Sequence, residues 1–387
     1  MTPYRYRLRV AAAALGVIAL MAAAPHVSAG STGDAGTVTA EARGVTADTR
    51  AIRGLSLVND ATHRPILGLS PLTDGTVVDP TRLANRNLSL RADLAPGVAP
   101  GSVTFTITGS KGGSHQCTGS RAQNCRLPTT PDEYTLTVQA YKDDSSKLGR
   151  PFTVRFTVAA TAAPALDVLF IGNSLLGTIG VTGADTPGLV RRLASAAGRT
   201  LGVTEVIHSG YTLRQNWNSG AAATALNGAK QYDCIVLQEY STLVATNPSA
   251  AMDTLLNTYG PTFARALKPG GRVVLFKNWA LVDPAPFPSR AAATVAIDTN
   301  YAALSAALST PNLLAPIGDE FETIIARRGT SYLIADGKHP NDTAIYLNAA
   351  TLYGILFGES PRALADLYLP APVASDLRSV AAAAIGY

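Results

Sequence analysis

Two hydrophobic patterns divide the chain near residue 160. Before it, short segments such as Val103–Thr108 and Phe152–Val158 alternate between apolar and polar residues with a period of two. This alternation is typical of strands with one buried face. Turn residues such as Asp74-Gly75 and Pro96-Gly97 separate the segments, and helical periodicity is almost absent. The pattern predicts an all-β, immunoglobulin-like (Ig-like) sandwich over residues 51–160.

A different pattern follows a short linker at residues 161–165. Continuous apolar runs such as Val168–Ile171 and Cys234–Leu237 alternate with Ala-rich stretches of helical length such as Ala250–Ala266. Such runs are typical of a parallel sheet whose two faces are covered by helices. We therefore predict an α/β domain over residues 166–387. In such domains, sites form at the carboxyl ends of the strands.

The first 29 residues have the features of a secretory signal peptide. Three arginines precede the apolar run Val10–Ala24, and Val27-Ser28-Ala29 fits the small-residue cleavage rule. The run is too short to span a bilayer comfortably, and no later run of that length lacks a charge or turn signal. We expect a secreted, extracellular protein with no membrane span, in which residues 30–50 form a flexible leader.

Charge and composition narrow the classes of partner. The formal net charge of +5 falls to +2 when the three arginines of the signal peptide are removed, and no Lys/Arg run is present. A nucleic-acid-binding protein needs a clustered basic face, so we expect no nucleic-acid partner. The histidines and cysteines lack paired metal-ligand spacing, so we expect no metal.

The cysteines predict one disulfide. Cys117 and Cys125 flank a polar loop rich in Gly, Ser and Asn, and an exported chain permits a disulfide there. Cys234 lies in an apolar run and is expected to be a buried free thiol.

A serine and an Asp-x-x-His pair stand where a hydrolytic triad could form. Ser174 follows the apolar run that ends at Gly172, and Asp336 stands three residues before His339. A serine nucleophile needs a base within hydrogen-bond reach and a carboxylate that orients the base. In the α/β half only His208 and His339 are histidines, and His339 follows Asp336 by three residues in a Gly- and Pro-containing loop. We predict Ser174 as nucleophile, His339 as base and Asp336 as its partner, with His208 as a packing or substrate-wall residue.

These motifs resemble those of the SGNH (GDSL-like) hydrolase superfamily. The family's first block, a strand followed by Gly-Asp-Ser, corresponds to Gly172-Asn173-Ser174. Its last block, Asp-x-x-His often followed by Pro, corresponds to Asp336–Pro340, and Gly210 stands where the second block's glycine is expected. The resemblance implies a flavodoxin-like three-layer α/β fold and serine ester hydrolysis without a cofactor.

The chain departs from the family pattern at two points. Asn173 replaces the Asp before the serine, a residue that does not act in the triad. The family's third block, Gly-x-Asn-Asp, is absent, and the chain reads Leu237-Gln-Glu-Tyr-Ser241 instead. This resembles a divergent branch of the superfamily with Leu-Gln after that strand and a Trp after the next, where Trp279 fits.

The missing third block leaves the oxyanion hole to be assigned. A tetrahedral intermediate needs two or three preset hydrogen-bond donors. We predict the backbone N–H groups of Ser174 and Gly210 as one pair. The amide of Gln238, or alternatively that of Asn278, is predicted to replace the family's Asn side chain.

The predicted substrate is an O-acetyl or other short acyl ester of a carbohydrate, or another small ester. Asn173, Tyr211 and Trp279 are the predicted substrate contacts. The β-sandwich is predicted to contact a polysaccharide or the cell surface, by analogy of fold alone. Three alternatives stay open: an acyltransferase with the same triad, an inactive polymer- or cell-surface-binding protein, and a lipase or polyester esterase with a wide apolar cleft.

Overall fold

The computed structural model describes residues 50–60, 62–78, 88–119, 125–159 and 165–387. The predicted signal peptide lies outside the described residues, as do nearly all of the predicted leader and residues 161–164 of the predicted linker. All described residues belong to one compact unit that begins at Asp48.

Eight strands form two sheets in the first part of the described chain, here called the β region. The strands are β1 (Ile52–Asn59), β2 (Thr76–Val78), β3 (Leu88–Leu94), β4 (Ser102–Gly109), β5 (Ser114–Gly119), β6 (Cys125–Arg126), β7 (Asp132–Tyr141) and β8 (Lys147–Val158). One sheet has the order β1-β3-β6, and the other has the order β2-β8-β7-β4-β5. All neighbouring strands are antiparallel except β2 and β8.

The alternating pattern of the sequence explains how the two sheets pack. Val103, Phe105 and Ile107 alternate along β4 and are all buried, whereas the threonines between them are partly exposed or exposed. The buried side chains of both sheets join one hydrophobic cluster. The strands and their shared core agree with a sandwich in this region, while its Ig-like type stays a prediction.

The disulfide pairs Cys117 with Cys125. Cys117 belongs to β5 and Cys125 to β6, which are the edge strands of different sheets. The bond therefore joins the two sheets. Cys234 is a buried free thiol in the second half of the chain.

Five parallel strands form the sheet of the second half. The strands are β9 (Leu166–Gly172), β10 (Leu201–Ile207), β11 (Tyr232–Leu237), β12 (Leu267–Phe276) and β13 (Asn312–Ala315). Their order is β10-β9-β11-β12-β13, and every neighbouring pair is parallel. The predicted parallel sheet is therefore confirmed.

Helices cover both faces of this sheet. They are α1 (Ser174–Gly177), α2 (Thr186–Ala196), α3 (Leu213–Asn218), α4 (Ala221–Asn227), α5 (Leu243–Thr246), α6 (Pro248–Asp253), a π-helical turn (Thr254–Tyr259), α7 (Gly260–Ala266), α8 (Arg290–Ala307), α9 (Ile317–Arg328), a 3₁₀ turn (Thr330–Tyr332), α10 (Asp342–Phe357), a second 3₁₀ turn (Pro361–Ala363) and α11 (Ala371–Ala384). Val168 and Phe170 of β9 face one hydrophobic cluster, and Leu169 and Ile171 face another. A continuous apolar strand is thus explained by burial on two faces.

The β region contacts the end of the chain directly. The Leu67 N–H donates to the Ile385 carbonyl at 3.2 Å. Gly68 lies so close to the Ile355 backbone that a Cβ there would overlap the carbonyl oxygen, and its φ of +94° also requires glycine. The compositional break at the linker therefore does not separate the two halves in space. No helix among the described residues is long and apolar enough to cross a membrane.

Candidate active site

The predicted nucleophile follows the carboxyl end of β9, the strand between β10 and β11. Ser174 is the first residue of α1, and Asn173 caps that helix by accepting a hydrogen bond from the Leu175 N–H at 3.1 Å. The Asn173 Nδ2 donates to the Tyr211 carbonyl at 2.9 Å, and its backbone N–H donates to Gln238 Oε1 at 2.9 Å. Asn173, a predicted substrate contact, is instead buried and holds the backbone that presents the serine.

The structure brings the three predicted triad residues into one hydrogen-bonded chain. Ser174 Oγ lies 2.9 Å from His339 Nε2, and His339 Nδ1 lies 2.7 Å from Asp336 Oδ2. The other carboxylate oxygen of Asp336 accepts from the backbone N–H groups of Lys338 at 3.1 Å and His339 at 2.8 Å. The carboxylate is therefore held in place by the loop that carries the histidine.

These contacts define which nitrogen of His339 carries the proton. The hydrogen bond from the His339 side chain, followed by the backbone donors, lowers the pKa of Asp336 well below its ordinary value. An ionised carboxylate can only accept, so Nδ1 of His339 carries hydrogen and Nε2 offers a lone pair to the Ser174 hydroxyl. The Asp336 side chain is 58% exposed, so solvent screens part of this electrostatic effect.

A buried tryptophan supports the loop of the base. The Trp279 indole N–H donates to the Lys338 carbonyl at 3.1 Å, one residue before His339. Trp279 is only 1% exposed and stacks on Phe321 with ring centroids 4.1 Å apart. The prediction that Trp279 contacts substrate is therefore corrected, because a ring inside the core cannot stack on a sugar.

The next helix anchors the loop on its other side. Asn341 caps α10 by accepting from the Ala344 N–H at 3.1 Å, and its own backbone N–H donates to the Leu333 carbonyl at 2.9 Å. Residues 334 and 340 form an isolated antiparallel bridge. The short segment between them, which carries Asp336 and His339, is thus a closed loop with both ends fixed.

The two amides predicted as oxyanion donors are buried and used elsewhere. Gln238 Nε2 donates to Asn278 Oδ1 at 3.2 Å and to the Glu239 carbonyl. Asn278 Nδ2 donates to the same carbonyl at 2.8 Å. These bonds hold the ends of β11 and β12 together, since an unpaired buried amide would be costly. The expected role of Gln238, or of Asn278 in its place, is therefore not met in this structure.

The two predicted backbone donors remain. Within the described residues, the N–H groups of Ser174 and Gly210 donate no hydrogen bond to the protein. Gly210 has a φ of +78°, a conformation that favours glycine, and its neighbourhood is open. Neither N–H group is thus committed to an acceptor within the described residues, whereas the two predicted amides are both committed to other partners.

No sequence pattern singles out Asn216, yet it ties two of these segments together. The Asn216 Nδ2 donates to the Gly172 carbonyl at 2.9 Å, and its Oδ1 lies 2.6 Å from His208 Nδ1. The capping box of Thr212 and Gln215 signals the start of α3 from sequence. It does not indicate that the next residue would reach back to the end of β9.

Glu239 is a buried carboxylate under the site. Its Oε1 accepts from the Leu213 N–H at 3.0 Å and from the Tyr240 N–H at 2.6 Å. It thereby joins the end of β11 to Leu213 at the start of α3. Leu213 follows Tyr211 by two residues. Burial raises the pKa of Glu239 to about 7, and the two backbone hydrogen bonds oppose this shift only in part.

The free energy of unfolding should fall with rising pH in the wild type, and replacing Glu239 by Gln should abolish this fall. The carboxyl has an ordinary pKa of 4.5 and a folded pKa of about 7. Between these values the folded state binds more protons than the unfolded state, so the free energy of unfolding falls with rising pH. The contribution is complete below pH 4.5 and lost above about 7. The amide can still accept both hydrogen bonds but does not titrate.

Urea unfolding of both proteins at several pH values between 4.5 and 8 measures the effect. The wild type should lose up to roughly 3 kcal/mol relative to Glu239→Gln across this range. Glu133→Gln, at an exposed position of β7, is the matched control and should follow the wild type. Parallel curves for wild type and Glu239→Gln would contradict the assigned pKa.

One group of metal-type ligand atoms lies close together among the described residues: His115, Cys117 and Cys125. The sulfurs of the two cysteines are joined in the disulfide, so neither is a thiolate that could bind a metal. The group also belongs to the β region and not to the segments that carry the triad.

Comparisons with known proteins found similar solved structures only. No family model matches the chain, and no curated protein matches it. A DUF4886 family protein from Bacteroides uniformis is 16% identical with a TM-score of 0.47, over 58% of this chain and 96% of that chain. A lipase/acylhydrolase from Enterococcus faecalis is 15% identical with a TM-score of 0.39, over 50% and 96%.

Axe2, an acetylxylan esterase from Geobacillus stearothermophilus, is 16% identical with a TM-score of 0.36, over 49% of this chain and 93% of that chain. Further structural neighbours include SGNH- and GDSL-like hydrolases. All of these TM-scores lie below 0.5, so the likeness carries no conclusion about activity.

Proposed function

We propose that this protein is a serine esterase that forms an acyl-enzyme on Ser174. The observation that carries the proposal is the continuous hydrogen-bonded chain from Ser174 Oγ through His339 to Asp336, with distances of 2.9 and 2.7 Å. A hydroxyl, a base in the correct tautomer and an ionised carboxylate are the three parts that activate a serine. They occur together at the carboxyl edge of a parallel sheet, where sites of such folds form.

The proposed reaction proceeds in two halves. Ser174 Oγ attacks the ester carbonyl carbon while His339 Nε2 takes the hydroxyl proton, and the oxyanion is stabilised by the N–H groups of Ser174 and Gly210. The intermediate collapses, the ester C–O bond breaks, and protonated His339 gives its proton to the leaving alcohol. Water then attacks the acyl-enzyme with His339 again as base, which releases the carboxylic acid and restores the serine.

The proposed substrate is an O-acetyl or other short acyl ester of a carbohydrate, met outside the cell. The signal-peptide features and the Cys117–Cys125 disulfide support an oxidising, extracellular location. Tyr211, whose carbonyl accepts from the Asn173 side chain, is 38% exposed and can offer a ring face to a sugar. Contact of the β region with a polysaccharide or the cell surface is part of the proposal and rests on analogy of fold alone.

The exposure of the triad favours hydrolysis over acyl transfer. Asp336 is exposed and His339 is partly exposed, so water reaches the base. A transferase would need to keep water from the acyl-enzyme, which an open site does not do. The absence of a Gly-x-Asn-Asp block keeps a binding protein without activity as the second candidate, since the amides of Gln238 and Asn278 are used elsewhere.

An ester panel tests the proposal. Purified protein should release the phenol from short-chain aryl esters and acetate from acetylated sugars, with faster turnover of short than of long acyl chains. Adding an unacetylated sugar should produce little transfer product. Failure to hydrolyse any ester would leave the binding protein as the better description, whereas preference for long acyl chains would indicate a lipase.

A further inference from the structure

The rings of His208 and Tyr211 form a wall beside the end of β9, on its β10 side. His208 and Tyr211 stack with centroids 5.1 Å apart and an interplanar angle of 26°. The His208 N–H donates to the Gly172 carbonyl at 3.2 Å, and the Tyr211 carbonyl accepts from Asn173. The wall is therefore attached by its backbone to both residues that precede the nucleophile. The triad described above does not use either ring.

Asn216 determines the tautomer of His208. The Gly172 carbonyl can only accept, so the Asn216 atom that faces it must be the Nδ2 donor. The other end of this buried amide is then Oδ1, which lies 2.6 Å from His208 Nδ1. An amide oxygen can only accept, so Nδ1 carries the hydrogen of the neutral ring. Nε2 of neutral His208 is left as a lone-pair acceptor.

No protein donor uses that acceptor within the described part of the chain. His208 is partly exposed, and Tyr211 beside it is exposed. A neutral Nε2 cannot donate to an oxyanion, and Ser174 Oγ is bound to His339 and not to His208. The wall thus offers a ligand two things: a ring face and one fixed hydrogen-bond acceptor.

We infer that His208 and Tyr211 form a subsite for the alcohol part of the ester, in which His208 Nε2 accepts a hydrogen bond from a hydroxyl group of that alcohol. The inference rests on the proposed esterase function. An acetyl or other unsubstituted short acyl group carries no hydroxyl, so for such esters the hydroxyl belongs to the alcohol part. A ring face next to a hydroxyl acceptor suits a polyhydroxylated ring such as a pyranose.

The Asn216 bond explains why a histidine serves here as an acceptor. An imidazole free to choose its tautomer would present a donor as readily as an acceptor at Nε2. The buried amide removes this choice before substrate binds. An ester whose alcohol part carries a further hydroxyl, able to donate a hydrogen bond, is therefore favoured over one whose alcohol part carries none, such as a simple aryl ester.

The test compares two esters with the same acyl group. His208→Asn keeps a donor where Nδ1 was, so it can still bind Asn216, but it removes Nε2 and the ring. Tyr211→Leu removes the neighbouring ring face. For each variant, kcat/KM is measured on an acetylated pyranoside and on an aryl acetate whose aryl group carries no hydroxyl. His115→Asn, on exposed β5, is the matched control.

Each variant at the wall should lower kcat/KM on the sugar ester roughly ten-fold relative to the aryl acetate. A deoxy analogue of the pyranoside that lacks the hydroxyl bound by His208 should be a poor substrate. The wild type should turn over this analogue as slowly as His208→Asn turns over the parent sugar. His115→Asn should leave the ratio of the two substrates unchanged.

Equal losses on both esters would show that the wall only props up the serine, and unchanged ratios would show that it contacts no alcohol. Either result would overturn the subsite. Wild-type activity on the aryl acetate but on no sugar ester would also overturn the subsite while leaving the serine chemistry intact. Activity on neither ester would overturn the proposed function itself, and the subsite with it.

Discussion

Replacing Ser174 by alanine should lower ester turnover by roughly 10⁶-fold, to the level that binding and backbone donors alone provide. The reason is that the covalent route requires the hydroxyl, whose hydrogen bond to His339 at 2.9 Å is the first step of proton transfer. The fold should remain intact, because the capping bonds at this turn are made by Asn173 and by backbone groups. Steady-state kinetics on an aryl acetate and a thermal melt measure both quantities.

A matched serine is available for this experiment. Ser209 is exposed in the segment that follows β10 and has no part in the triad, so Ser209→Ala should keep most of the activity. A serine-directed phosphonate should label wild-type Ser174 and no other residue, and mass spectrometry of peptides locates the label. Substantial activity in Ser174→Ala, or a label elsewhere, would refute the assigned nucleophile.

Replacing His339 by alanine should be about as damaging as removing the serine. The two groups act as one unit, so the double variant should be no slower than either single variant. The comparison needs kcat for all three proteins under identical conditions. If His208→Ala abolished turnover while His339→Ala did not, the assignment of the base would be wrong.

Asp336→Asn should cost roughly 10⁴-fold near neutral pH because it imposes the wrong tautomer on the base. The Oδ1 position accepts two backbone N–H groups, so the new amide would place its oxygen there. Its NH₂ group would then face His339 Nδ1 and force the ring hydrogen onto Nε2, where it blocks acceptance of the serine proton. Asp144→Asn in an exposed turn of the β region is the control and should leave kcat unchanged.

Short-range patterns of apolar and polar residues in the sequence indicate the type of strand in each half. Period-two alternation along β4 corresponds to one buried face, and the continuous apolar run of β9 corresponds to two. Ser174 and the Asp336–His339 pair could be recognised because each motif is local and stands at the end of an element. They meet over a separation of 165 residues because the loop before α10 lies against the carboxyl end of β9.

The fates of the polar side chains around the triad were decided by tertiary structure. Gln238 and Asn278 are 40 residues apart and satisfy one another, so neither presents its amide to the serine. Trp279 stacks on Phe321 and donates to the Lys338 carbonyl, so a residue expected to contact substrate belongs to the core. Buried amides and indoles must find partners, and the partners come from distant segments.

The sequence by itself determined the division into a β region and a parallel-sheet half, and the identity of the triad candidates, because periodicity and motif spacing are properties of neighbouring residues. Only the tertiary structure decided which sheets the disulfide joins, which donors remain for an oxyanion, and which nitrogen of His208 is free. Each of these depends on the residue that happens to pack opposite, such as Asn216 against the end of β9. The linear sequence does not show which distant residue will become that neighbour.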